Sequence, residues 1–132
     1  METIKLIGTS IVLFAAIDFV WLSTVAQRFY QSQIGSLLLK KPNIPAAVLF
    51  YLLFIVGLTI FVTKPAVNRH NDVVYALIYG ALFGLFTYAT YDLTNLATMK
   101  GWTVMLTAVD ITWGIVLSAL VAAGTVLVSR YL

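Results

Sequence analysis

Cysteine is absent from the 132 residues, which excludes a disulfide framework and any thiolate-held metal. Charge is nearly as scarce: eight Lys and Arg, five Asp and Glu and a single His make 10% charged residues and a formal net charge of +3. Most of the basic residues stand at the ends of apolar runs, where they anchor at headgroups rather than forming a patch, so nucleic acid is excluded as a partner. There is no phosphate loop, no His-Glu-x-x-His zinc helix and no dinucleotide fingerprint. The Ser and Thr residues have no His base nearby, which argues against a nucleophilic triad. The lone His70 falls in a connection between apolar runs.

Apolar residues fill the space that charge leaves. They make up 61% of the chain, and the mean hydropathy is +0.98. A soluble domain of this size has too little interior to hide that surface. The expectation is one all-α domain, an integral membrane four-helix bundle, with spans over 4–26, 44–63, 73–99 and 102–128. Thr24-Val25-Ala26 loosely resembles a signal cleavage site, but the run before it is too long for a signal core and holds an aspartate, so a retained helix is expected. Asn43 and Asp72 are placed to cap the second and third helices, Pro45 fits a first turn, and Gly101 suits a left-handed connection before the fourth. The polar stretch from Gln27 to Asn43 holds a segment, Phe29 to Leu39, suited to a short interfacial helix with its Phe, Tyr and Leu residues against lipid.

An even number of spans puts both termini on one side. Lys5, Lys64, Arg69 and Arg130 share that side, and Arg28, Lys40, Lys41 and Lys100 share the other. Such a balance gives no positive-inside signal. It is compatible with a single orientation set by details outside the count, or with molecules inserted both ways and paired antiparallel.

Three of the five acidic residues, Asp18, Asp92 and Asp110, lie inside spans whose interiors hold no Lys or Arg. Each opposes insertion by about 2.5–3.5 kcal/mol. Asp18 precedes Gln27 by nine residues, Asp92 precedes Lys100 by eight, and Asp110 follows Gly101 by nine. At ~1.5 Å per residue this puts all three about 12–13 Å below the face opposite the termini. Tyr51, eight residues after Asn43, enters the same layer. Agreement in depth favours one polar site over separate structural hydrogen bonds.

Local patterns reinforce the layer. Ala16-Ile17-Asp18-Phe19-Val20-Trp21 is echoed by Ala108-Val109-Asp110-Ile111-Thr112-Trp113, and Asp92-Leu93-Thr94-Asn95 repeats the spacing of three that keeps two side chains on one face. Gly80 and Gly84 form a Gly-x-x-x-Gly pair, best read as close helix packing. Tyr88, Tyr91 and Asn95 continue that stripe with hydrogen-bonding groups.

Ionised carboxylates in one apolar layer repel, so they need protons, donors or a cation. Oxygen-rich sites suit hard cations, which makes a metal held by Asp18, Asp92 and Asp110 one expectation. Donation from Tyr51, Tyr88, Tyr91, Asn95, Trp21 and Trp113 is another. No organic cofactor is evident. The leading expectation is binding or translocating a cation, proton or cationic amphiphile, with Asp92 central and Asp18 and Asp110 flanking; the alternatives are acid–base chemistry on a lipid or isoprenoid chain, as an enzyme or its accessory, and a structural protein with a neutral polar core. Membrane lipids are the expected surroundings, and a second copy or another membrane protein the expected partner.

The residues Asp18-Phe19-Val20-Trp21-Leu22, Phe29-Tyr30, Pro45 through Tyr51, Gly80 through Ala97 with its Tyr-Ala-Thr-Tyr-Asp-Leu-Thr-Asn core, Gly101-Trp102 and Asp110-Ile111-Thr112-Trp113-Gly114 resemble the DUF2177 family of small bacterial membrane proteins. The resemblance spans nearly the whole chain. It implies four helices in a bacterial inner membrane and supplies no activity.

Overall fold

A computed structural model of the protein describes residues 2–39 and 41–132; Lys40, counted in the charge balance, lies outside the described residues. Four helical rods are long and apolar enough to cross a membrane: Glu2–Leu37, Ile44–Asn68, Val73–Thr98 and Val104–Ser129. No strand occurs among the described residues. The first rod is α1 (Glu2–Trp21), a π turn (Leu22–Ala26), α2 (Gln27–Ile34) and a closing 3₁₀ turn (Gly35–Leu37). The second is α3 (Ile44–Leu58), a π turn (Thr59–Thr63) and α4 (Lys64–Asn68). The third and fourth are the uninterrupted helices α5 (Val73–Thr98) and α6 (Val104–Ser129).

The expected caps are in place. The Asn43 side chain accepts from the Ala46 amide at 3.2 Å and Asp72 from the Tyr75 amide at 3.0 Å, each satisfying one of the free N–H groups of a first turn. Gly101 has φ +85°, and Thr103 caps the last helix by accepting from the Leu106 amide at 3.0 Å.

Two boundaries differ from expectation. The chain does not leave its helix at Gln27: the short helix expected within Phe29–Leu39 is present as α2, joined to α1 through the π turn and not separated from it. Ser23 and Thr24 turn their hydroxyls onto the Val20 carbonyl there, a back-bond that tolerates a distorted turn. The second rod also runs past Lys64-Pro65. Proline lacks an N–H and crowds the preceding turn, but the π turn just before it has already shifted the hydrogen-bond ladder, so the helix absorbs Pro65.

Packing is uneven along the bundle. On the side of the termini Phe14, Phe54, Leu58, Val62, Leu117, Val121 and Val126 form one core, and Ser10 and Thr125 share a buried hydrogen bond of 3.0 Å. α5 and α6 are in closest contact. A Cβ on Gly84 would sit 2.2 Å from the Gly114 carbonyl oxygen, one on Gly80 2.8 Å from Ala122 Cβ, and one on Gly114 2.2 Å from the Tyr88 ring. The glycine stripe is therefore a packing seam, as its spacing indicates. No residue of α3 before Phe54 is buried, and of that first half Tyr51 packs against the core, its ring centre 5.1 Å from that of Phe14. The first half of α3 splays from the other helices and leaves a wedge.

Candidate functional site

The wedge holds a cavity of about 550 Å³, lined by Asp18, Trp21, Leu22, Tyr30, Ala46, Ala47, Phe50, Tyr51, Thr87, Tyr88, Tyr91, Asp110 and Trp113. Every rod contributes. α1 and α6 bring one carboxylate each, α3 and α5 bring tyrosines, and α2 supplies Tyr30.

Each cavity carboxylate is held by an aromatic donor from another helix. The Trp113 indole Nε1 donates to Asp18 Oδ1 at 3.2 Å, and the Tyr51 hydroxyl approaches the same carboxylate. The Tyr30 hydroxyl donates to Asp110 Oδ1. Trp113 is fixed in turn by stacking on Trp21, with ring centres 4.4 Å apart and planes 8° from parallel. The repeated Asp-x-x-Trp pattern is thus used crosswise. The Trp of α6 serves the Asp of α1, while the Trp of α1 stacks on the Trp of α6. The Trp21 Nε1 lies near the Tyr30 hydroxyl but forms no hydrogen bond that meets normal geometry.

Asp92 is placed differently. It is 0% exposed, does not line the cavity, and neither of its carboxyl oxygens has a hydrogen-bond donor among the described residues. Its carboxyl lies against that of Asp110, so it forms a second layer directly behind a cavity residue. Asn95 likewise lies off the cavity, close to the Tyr91 hydroxyl. Trp102 meets the Tyr91 ring edge-on at 5.7 Å.

Of the nine residues singled out by depth and spacing, Asp18, Asp110, Tyr51, Tyr88, Tyr91, Trp21 and Trp113 share the cavity wall; Asp92 and Asn95 stand behind it. Among the described residues no three His, Asp or Glu side chains gather closely enough to hold a metal ion. The expected arrangement of three aspartates around one metal is therefore not assembled, because Asp92 faces α6 and not the wedge. Tyr30 is the residue that sequence reasoning set aside. Its signal was a run spaced by fours, Leu6, Ser10, Phe14, Asp18, Leu22, Ala26, Tyr30 and Ile34. On a regular helix Tyr30 would be about 120° out of phase with Asp18. The extra residue accommodated by the π turn restores most of that.

The cavity is an aromatic chamber with two carboxylates and, among the described residues, no Lys, Arg or His in its lining. Such a place can hold a positive charge, or a proton, away from water.

The profile of a family described as predicted membrane protein (DUF2177) matches residues 3–127. Searches of curated proteins and of solved structures gave no match.

Proposed function

We propose, for a chain that belongs to the DUF2177 family of predicted membrane proteins, that it holds a cation inside the cytoplasmic membrane of a bacterium, in the cavity between Asp18 and Asp110. One observation carries the reading: two carboxylates from different helices open on the same cavity, and no basic side chain among the described residues lines it. Hydrogen bonds from Trp113 and Tyr30 orient the carboxylates without cancelling their charge. Desolvated like charges raise each other's energy steeply in an apolar medium, so a cation or a proton is the missing component. The tyrosine and tryptophan faces add to the attraction through their ring quadrupoles.

Asp92 supports the pair from behind. Two carboxyls in contact are mutually repulsive unless one proton lies between them, and a shared proton converts the repulsion into a charge-assisted hydrogen bond. In this reading Asp92 donates to Asp110 as the acid. Asp110 then accepts from Tyr30 on one side and from Asp92 on the other, and presents its charge to the cavity.

Thermal unfolding in detergent with Na⁺, K⁺, Mg²⁺, tetramethylammonium and tetraphenylphosphonium, at constant ionic strength, tests this. At least one cation should stabilise the wild type, by about 2.7 kcal/mol at a hundred times its dissociation constant. The same cation should leave an Asp18→Asn/Asp110→Asn double variant unmoved. No response to any cation, or a response that survives in the double variant, would overturn the proposal and favour a neutral structural core.

A further inference from the structure

The cavity wall is divided by polarity and by exposure. Asp18, Asp110, Tyr30, Tyr51, Tyr88 and Trp113 are buried or half-buried at its back. Its exposed members are Leu22 at 44%, Phe50 at 48%, Tyr91 at 58%, and Ala46. These lie on outward faces of three membrane-spanning rods, so the mouth between them looks sideways into lipid. Ala46 and Ala47 stand three and four residues inside the Asn43 cap, about 5–6 Å along the axis. That is the depth where headgroups give way to acyl chains. Two alanines there keep open a gap that larger residues would fill.

The back of the cavity also selects. A hard metal ion asks for several oxygen ligands gathered around it, and among the described residues no three His, Asp or Glu side chains come together to supply them. An alkylated ammonium asks only for negative charge and ring faces, which Asp18, Asp110, Tyr88 and the Trp21–Trp113 stack supply. Behind Asp110 the fully buried Asp92, as the acid of these two, leaves Asp110 to present its charge to the cavity. A phosphate on the ligand would meet two carboxylates and be repelled.

Resting on the cation-site reading above, we infer that the ligand is a cationic amphiphile, an ammonium head on an apolar chain without an accompanying phosphate, and that it enters laterally from the bilayer. The head sits between Asp110 and Asp18. The chain leaves through the gap at Ala46 and Ala47, over Leu22 and Phe50.

The test uses the full chain in phosphatidylcholine nanodiscs, with Trp102→Phe so that fluorescence reports only the Trp21–Trp113 pair. It is titrated with dodecyltrimethylammonium, tetramethylammonium and 1-dodecanol, the chain-bearing probes expressed as mole fraction in the bilayer. Dodecyltrimethylammonium should give a saturable change that Asp18→Asn/Asp110→Asn abolishes, and dodecanol none. Ala47→Phe should weaken dodecyltrimethylammonium at least tenfold more than tetramethylammonium; Ala46→Leu serves the same comparison if Ala47→Phe does not fold. Saturation by dodecanol, or gap variants that affect both ammonium ions alike, would overturn lateral entry while leaving a cation site standing. Silence towards both ammonium ions, with thermal stabilisation by a metal cation intact, would overturn the ligand class alone. Silence in both experiments would remove the cation site itself.

Discussion

Asp92 and Asp110 show how far a single residue's role can be read from its position. Counting along helices places both at one depth, because rise per residue is fixed. It does not say which way each side chain points, since that depends on the contacts of α5 with α6. Asp110 faces the cavity, whereas Asp92 is sealed behind it. The two should therefore respond differently to the same substitution. Asp92→Asn keeps an N–H donor for Asp110 and should retain cation-induced stabilisation to within about threefold in affinity. Asp92→Leu removes the donor and should cost about 1.5–3 kcal/mol of binding, the range for a hydrogen bond to a charged group. Asp110→Asn should cost at least tenfold in affinity. Thermal shift of the three variants against a cation series checks the order; equal losses in Asp92→Asn and Asp110→Asn would mean that Asp92 works as a charge.

At the scale of elements the decisive feature is the π turn Leu22–Ala26. The apolar run that ends near Ala26 was legible, and so were the caps at Asn43 and Asp72, because those signals are local. Continuation of the helix into Gln27–Ile34 was not, since its polar composition reads as an exit from the membrane and the π turn leaves no composition signature. Without it, Tyr30 would not reach Asp110. Deleting Thr24 should convert the turn to regular helix and rotate α2 by about 100°. The loss of cation affinity should match that of Tyr30→Phe and add little to it, measured by the same thermal shift.

The α5–α6 seam makes a second prediction of this kind. Gly114→Ala would place a methyl 2.2 Å from the Tyr88 ring, too close for a cheap adjustment. It should destabilise the protein by about 1–3 kcal/mol or more, the usual cost of overpacking. Gly8→Ala, whose Cβ would meet nothing within 4 Å, should be neutral or slightly stabilising through helix propensity. Unfolding in mixed micelles separates the two.

The whole molecule is a bundle closed at one end and parted at the other. Hydropathy made the four rods legible, and depth made the polar layer legible. The wedge was not, because splaying of the first half of α3 is a property of packing; its residues are as apolar as those of the second half, which is buried. Seven of the nine residues proposed from sequence nevertheless share one cavity, since helices of fixed rise bring equal depths together wherever the rods touch.

Whether Asp18 and Asp110 act as one site is settled most directly by a double-mutant cycle. Asp18→Asn, Asp110→Asn and the double variant are compared with the wild type for equilibrium binding of the cation that stabilises it most. Two carboxylates serving one bound charge should be coupled. Each single change should cost at least tenfold, and the double change should fall short of the sum by about 0.5–3 kcal/mol. Strictly additive losses, or a double variant that binds as tightly as the wild type, would contradict a shared cation site.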